Sequence, residues 1–238
     1  MMRMTQAVDV MRVAYYVIRM SVLTIASRKG GCGKSTLATA IAASLAADGL
    51  AVGLLDADPN GGAHRWATSI YDGPHLSAHA EPDKDRLAEL LPELAERYAV
   101  LICDTAGFGN QSATICMVGA EAVLVPVTPN ESDVVEGRKT VAFIDGLARS
   151  ARREIPVRVL ANRIRRPTTL SRHMLSQLDA LALPRLDATL SDLVAFGELS
   201  FSGALPPHGS PAAAELAALI AELRALGWLP NVPAAEAA

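Results

Sequence analysis

Residues 21–36, SVLTIASRKGGCGKST, decide the reading of this chain. Residues 22–26 form a short apolar, β-branched run of the kind that makes a buried strand. Lys29-Gly30-Gly31-Cys32-Gly33-Lys34-Ser35-Thr36 follows, and then an Ala/Leu-rich helical pattern. A strand, a glycine-rich turn and a helix start in that order make an anion site. Glycine lets successive backbone N–H groups point inward, and the first turn of a helix has free donors at the positive end of its dipole. Lys34 adds a charge for terminal phosphates, and Ser35 adds a hydroxyl for a magnesium ion.

Outward from this stretch, strand and helix patterns alternate. A helix is expected over 36–47, stopped by Asp48-Gly49. Residues 51–56 (AVGLLD) read as a second buried strand, ending in Asp56-Ala57-Asp58-Pro59-Asn60-Gly61-Gly62, with a helix over 63–70. The polar segment holding Gly73, Pro74 and Pro82 reads as a connection. Leu87, Leu90, Leu91 and Leu94 mark one or two short helices on a single face, with Pro92 opening the second, because proline is tolerated in a first turn. A third strand spans 99–103 and ends in Asp104-Thr105-Ala106-Gly107. A fourth spans 122–128, with a long helix over 132–148, and a fifth spans 155–161 and ends at Asn162-Arg163. Helical patterns cover 168–181, 191–202 and 211–226. Continuously apolar strands alternating with helices imply an α/β fold, a mostly parallel twisted sheet covered by helices on both faces. Ligands of such sheets sit at the carboxyl ends of the strands, where the loop, both Asp motifs and Asn162 all fall. The expected division is an N-terminal extension over 1–19, one domain over 20–229 and a loose tail over 230–238. The extension reads either as an amphipathic helix or as a leader left by a start assigned too early.

The common pattern G-x-x-x-x-G-K-[ST] fails here, because Arg28 stands where its first glycine would fall. A second lysine, Lys29, opens the loop instead. Lys-Gly-Gly-x-Gly-Lys-Ser resembles the deviant Walker A loop of the ParA/MinD family of ATPases, closest to the small plasmid-partition (ParA/ParF-like) members. The resemblance implies a P-loop NTPase, ATP and Mg²⁺ as cofactors, and a front lysine that reaches across a dimer interface to the partner's nucleotide. Phosphoryl transfer needs positioning and charge neutralisation more than covalent chemistry. A carboxylate at the end of a neighbouring strand is then wanted to hold the ion's water shell, and Asp104 fits. Gly107 follows it, where an amide would sense the terminal phosphate. Asp58 resembles the second aspartate of the family's D-x-D-P-Q motif, which orients the attacking water, with Asp56 as its supporting neighbour and Asn60 where glutamine is usual.

The expected catalytic groups are therefore Lys29, Lys34 and Asp58. Expected ATP contacts are Lys29, Gly30, Gly31, Cys32, Gly33, Lys34, Ser35, Thr36, Asn162 and Arg163. Metal contacts are Ser35, with Asp104 through water and Asp58 as a further candidate through water. The switch set is Asp56, Asp58, Asp104 and Gly107. Asn162-Arg163 falls where the family contacts adenine. Pro126-Val127-Thr128-Pro129 followed by Asp133, and residues 186–190, resemble later family segments; the last of these often carries an arginine, and here Asp192 stands nearby instead.

Net charge is −3, so the whole molecule has no bulk attraction to nucleic acid or acidic lipid. Residues 138–172 nevertheless hold ten basic side chains against Asp145 and Glu154. The family binds DNA non-specifically as an ATP-loaded dimer, so the resemblance implies a DNA patch, with Arg152, Arg153, Arg163, Arg165, Arg166 and Arg172 as candidates. Apolar residues are 50% and aromatics 4%, so the core is aliphatic. Cys32, Cys103 and Cys116 show no C-x-x-C or zinc spacing, and Cys103 lies inside a strand, which disfavours an iron–sulfur reductase. The 211–226 helix carries Glu215, Glu222 and a single Arg224, unlike a cationic membrane-targeting helix. Nineteen residues before Met20 are too few for an N-terminal helix-turn-helix domain. The leading reading is a slow, partner-stimulated ATPase switch of the cytoplasm and nucleoid. It forms a homodimer with ATP, binds double-stranded DNA, answers to a ParB-like or cargo-specific adaptor and uses no membrane. A MinD-like membrane regulator and a metabolic P-loop enzyme (iron–sulfur reductase or ATP-dependent synthetase) are the alternatives.

Overall fold

The computed structural model describes residues 21–107, 109–165 and 168–232. The expected extension over 1–19, Arg166 and the last part of the tail lie outside the described residues.

Seven strands form one parallel sheet: β1 (Ser21–Ile25), β2 (Val52–Asp56), β3 (Leu76–Ala80), β4 (Val100–Asp104), β5 (Ala122–Val127), β6 (Val157–Ile164) and β7 (Arg185–Ser191), in the order β3-β2-β4-β1-β5-β6-β7. The described helices are α1 (Lys34–Ala47), α2 (Gly62–Ser69), α3 (Lys84–Arg97), α4 (Gln111–Gly119), α5 (Glu131–Ala151), α6 (Thr169–Ala180), α7 (Val194–Ser202) and α8 (Pro211–Ala225). The four central strands β1, β2, β4 and β5 are buried at every position, so they read as unbroken apolar runs. Their side chains alternate between two layers. Leu23, Ile25, Leu54, Ile102 and Leu124 pack under α1, α2, α7 and α8. Val22, Leu55, Leu101 and Cys103 pack under α3 and α4, and Val123, Val125 and Val127 under α4, α5 and α6.

Two sequence expectations need correction, and one strand adds to them. The polar connection after α2 contains β3, an edge strand with no fully buried position. The late segment around residues 186–190 is the opposite edge strand, β7. An edge strand packs fewer neighbours, so its apolar pattern is thin. Pro92 does not open a second helix, because α3 runs unbroken through it. The ring is exposed and Leu87, Leu91 and Leu94 on the same helix stay buried. A further helix, α4, follows Gly107, capped by Asn110, whose side chain accepts from the Ser112 amide at 3.0 Å.

Two β-bulges shape the β6–β7 pair. Ala161 pairs with Thr189 and Ile164 with Ser191, so β6 carries an extra residue there, and Arg163 has φ 57°. A bulge of this kind re-aims side chains at the end of a strand. Here it turns Asn162 and Arg163 toward the glycine loop. The second bulge lies between Arg185 and Thr189 of β7.

Candidate nucleotide site

The glycine loop joins β1 to α1 at the carboxyl edge of the sheet. Gly33 is the N-cap of α1 with φ 91°, and a Cβ there would come within 2.7 Å of Asn162 Nδ2. The position therefore excludes side chains both by backbone conformation and by space. Asn162 Nδ2 donates to the Cys32 carbonyl at 2.8 Å, and Arg163 Nη1 to the Gly31 carbonyl at 3.5 Å. The end of β6 thus fastens the loop from the side. Lys34 is buried, and its Nζ donates to the Lys29 carbonyl at 3.3 Å across the loop. Cys32 is buried, with its Sγ donating to the same carbonyl at 3.5 Å.

Asp56 and Asp104 end adjacent strands at the same register. Asp56 accepts from the Asp58 amide at 3.0 Å and the His64 amide at 2.9 Å, one bond to each oxygen. It therefore shapes the Asp58 loop and satisfies a donor at the start of α2. Burial pushes its carboxyl above the usual value, and those amides oppose the shift. Asp58 is partly exposed, and its Oδ1 accepts from both the backbone and the side chain of Asn60 at 2.9 Å. Asn60 closes this short turn itself.

Asp104 is fully buried, and neither of its carboxylate oxygens has a hydrogen-bond partner among the described residues. Burial pushes its pKa up to about 7; the neighbouring Ser35 hydroxyl pulls it down without reaching hydrogen-bond geometry, and Asp56 pushes it up again. A buried carboxylate without partners costs folding free energy unless a ligand satisfies it. Next to Ser35 and Lys34, that vacancy in bonding fits the water shell of a magnesium ion. Gly107 lies against the loop, where a Cβ would stand 3.9 Å from Arg28 O and Gly30 N.

Lys29 does not project away from its own chain. Its Nζ donates to Ser132 Oγ at 2.7 Å and pairs with the buried carboxylate of Asp133, which also accepts from the Thr128 hydroxyl. The first turn of α5 thus holds the lysine. Arg28 meets the same helix, pairing with Glu136 at 3.1 Å. Sequence reasoning quoted Asp133 without a role and missed Ser132, because the pairing spans more than a hundred residues.

A cavity of about 430 Å³ opens beside the loop. Thr36, Leu37 and Ala40 of α1 form one wall, and residues 190–194, where β7 turns into α7, form the other. Asp192 on that turn is held by Arg163 at 3.2 Å and Arg165 at 2.8 Å.

The candidate DNA arginines do not form one surface. Arg163, Arg165 and Arg172 sit at the carboxyl edge, with the nucleotide site. Arg152 and Arg153 follow α5 at the opposite edge, and Arg153 donates to the carbonyls of Val118 and Ala120 at 2.7 Å, bracing the link from α4 to β5. Cys103 and Cys116 are both buried free thiols. No described helix is long and apolar enough to cross a membrane.

The family model described as VirC1 protein matches residues 20–217. The chain belongs to the VirC1 family. This VirC1-family chain is 30% identical over 193 residues to protein virC1 of Rhizobium radiobacter, covering 78% of this chain and 83% of that one. It is also 30% identical over 125 residues to protein ParA of the same organism, covering 52% and 56%, so it matches about half the length of that relative. The solved ATP complex of an Asp-to-Ala variant of Cyanothece McdA superposes with a TM-score of 0.74 at 16% identity, covering 91% of this chain and 99% of that one. That likeness shows the fold. The VirC1-family chain is ParA-like, with the P-loop NTPase fold of the ParA and MinD ATPases.

Proposed function

We propose that this VirC1-family protein is an ATP-hydrolysing switch that dimerises with ATP, binds duplex DNA without sequence preference and positions a DNA or protein cargo. The observation that carries the ATPase reading is Asp104: a buried carboxylate with two unpartnered oxygens, beside the hydroxyl of Ser35 and the charge of Lys34.

The loop amides, the α1 N-terminus and Lys34 would hold the β- and γ-phosphates. Ser35, with Asp104 through water, would hold magnesium, which supplies charge neutralisation between those phosphates when bound. Asp58, at the edge of the site and shaped by Asp56, would orient the attacking water; transfer of its proton to the Asp58 carboxylate is the general-base step. Gly107 would report the γ-phosphate through its amide. Lys29 would complete a partner's site. For that it must leave Asp133 and Ser132, so nucleotide-driven assembly would exchange a bond within the chain for one between chains. Asn162, Arg163 and the cavity beyond them would take the nucleoside.

DNA binding would follow dimerisation, with Arg163, Arg165 and Arg172 at the nucleotide edge and Arg152 at the far edge as the phosphate contacts. An adaptor protein of the ParB type or specific to the cargo would stimulate hydrolysis, and the protein would work in the cytoplasm on the nucleoid. The relatives named ParA and virC1 support this class. The test is fluorescence anisotropy with an arbitrary labelled duplex. Binding with Mg-ATP but not Mg-ADP, falling steeply with salt, is expected. Equal binding with both nucleotides, or none, would overturn the switch.

A further inference from the structure

We propose that Glu215, on α8, is a positioning residue for the nucleoside end of the nucleotide site. The proposal rests on reading the cavity beside the loop as that end.

Strand β7 closes the sheet, and its outward N–H groups would have no strand to receive them. Two glutamates from α8 receive them instead. Glu222 accepts from the amides of Asp187 at 2.9 Å and Ala188 at 2.7 Å. Successive amides of a regular strand point opposite ways. The β7 bulge turns these two to one side, where one carboxylate takes both. Glu215 lies seven residues earlier, two helical turns along the same face. It accepts from both the amide and the hydroxyl of Ser191, each at 2.6 Å. Hydrogen bonds to an ionised acceptor are among the stronger ones.

The two glutamates differ in what they hold. Glu222 secures the first half of β7, away from the site. Glu215 secures the last residue of β7, where the chain turns into α7, and that turn forms the cavity wall opposite Thr36, Leu37 and Ala40. On its inner side the turn is tied to β6 by the Asp192 amide, which donates to Ile164 O at 3.0 Å, and by the Asp192 pairs with Arg163 and Arg165. On its outer side Glu215 is the tie from α8. Removing that carboxylate strands the Ser191 amide and hydroxyl and lets the wall shift relative to α1. Among the described residues, the phosphate cradle over 29–36 makes its hydrogen bonds within itself and to α5 and β6, none of them to α8, so its hold on phosphate should be unaffected.

Calorimetry with the full chain, magnesium and either ATP or inorganic tripolyphosphate separates these effects. Glu215→Ala should weaken ATP binding about tenfold, a loss of about 1.4 kcal/mol, with tripolyphosphate binding unchanged. Glu215→Gln should recover most of the loss, because its amide oxygen still accepts from the Ser191 amide. Ser191→Ala, which removes the hydroxyl bond alone, should show the same selective loss at about threefold, and covers the case in which Glu215→Ala does not fold. Glu222→Ala should lower the melting temperature and leave ATP affinity unchanged. An equal loss for both ligands, no loss in folded Glu215→Ala and Ser191→Ala, or the same loss in Glu222→Ala would overturn the proposal. Wild-type protein that binds tripolyphosphate no more weakly than ATP would overturn the reading of the cavity as well, and wild-type protein that binds neither would overturn the nucleotide site itself.

Discussion

Asp56 and Asp104 stand side by side at the ends of β2 and β4, in register and both fully buried, yet their surroundings differ. Asp56 accepts one backbone amide on each oxygen. Neither oxygen of Asp104 has a hydrogen-bond partner among the described residues. The first carboxylate is held by the fold, and the second is the one proposed to meet a ligand. Burial alone does not separate the two roles; the accounting of hydrogen bonds does.

Replacing these residues one at a time should separate the roles, and the largest effect is on hydrolysis. Asp104→Asn should lower Mg-dependent ATP turnover at least about a hundredfold, in line with removal of an electrostatic group from a phosphoryl-transfer site. Asp58→Ala should lower turnover to a similar degree while keeping ATP binding, and should elute as a trapped dimer with ATP in gel filtration; a monomer would break the link between hydrolysis and assembly. Lys29→Ala should retain most of the fold's stability, because its Asp133 partner keeps the Thr128 hydroxyl. It should lose ATP-dependent dimerisation, read by light scattering.

Stability should separate the pair in opposite directions. Asp56→Ala strands two amides and should cost about 2–3 kcal/mol of unfolding free energy in denaturant titrations. Asp104 in nucleotide-free protein with EDTA should behave the other way. Its folded pKa of about 7 lies above the unfolded value of 3.8, so the folded state binds the extra proton between them. Stability from this group is then present at low pH and declines as pH rises toward 7, levelling off above. Relative to Asp104→Asn, which cannot ionise, wild-type protein should lose about 2–4 kcal/mol between pH 5 and pH 8. A constant difference across that range would mean Asp104 finds a partner in solution. The smallest effect is expected for Asn60→Gln, which installs the glutamine of the D-x-D-P-Q motif that this stretch resembles. Stability should change by less than about 1 kcal/mol, because only the turn on Asp58 is altered.

The central strands, the loop and the two aspartates were legible in sequence because their signals are local. Four strands buried on both faces give unbroken apolar runs, and Gly33-Lys34-Ser35 carries its chemistry in adjacent residues. The sheet's edges were not legible. LSAHA in β3 and RLDATLS in β7 each have a half-exposed, polar pattern that reads as connection. Helix α4 was missed for the opposite reason: much of it is buried, and QSATICMVG shows little periodicity. The partners of Lys29 and the pairing of Asp192 with Arg163 and Arg165 join distant segments, so spacing carries no trace of them. Glu215 and Glu222 look like a solvated acidic face in sequence, and only the bulged edge strand beside them shows what they bind. The basic residues of 138–172 form one cluster in sequence, but α5 spans the sheet and carries Arg152 and Arg153 to the edge opposite Arg163, Arg165 and Arg172.

The most direct test of the contrast between Asp56 and Asp104 is the thermal stability of wild type and Asp104→Asn, each with ATP plus magnesium and with ATP plus EDTA. If Asp104 is kept for a hydrated magnesium ion, wild type should melt several degrees higher with magnesium than with EDTA. Asp104→Asn should equal or exceed wild type in EDTA at pH 8 and gain nothing from magnesium. A variant that keeps the full magnesium increment would contradict the account.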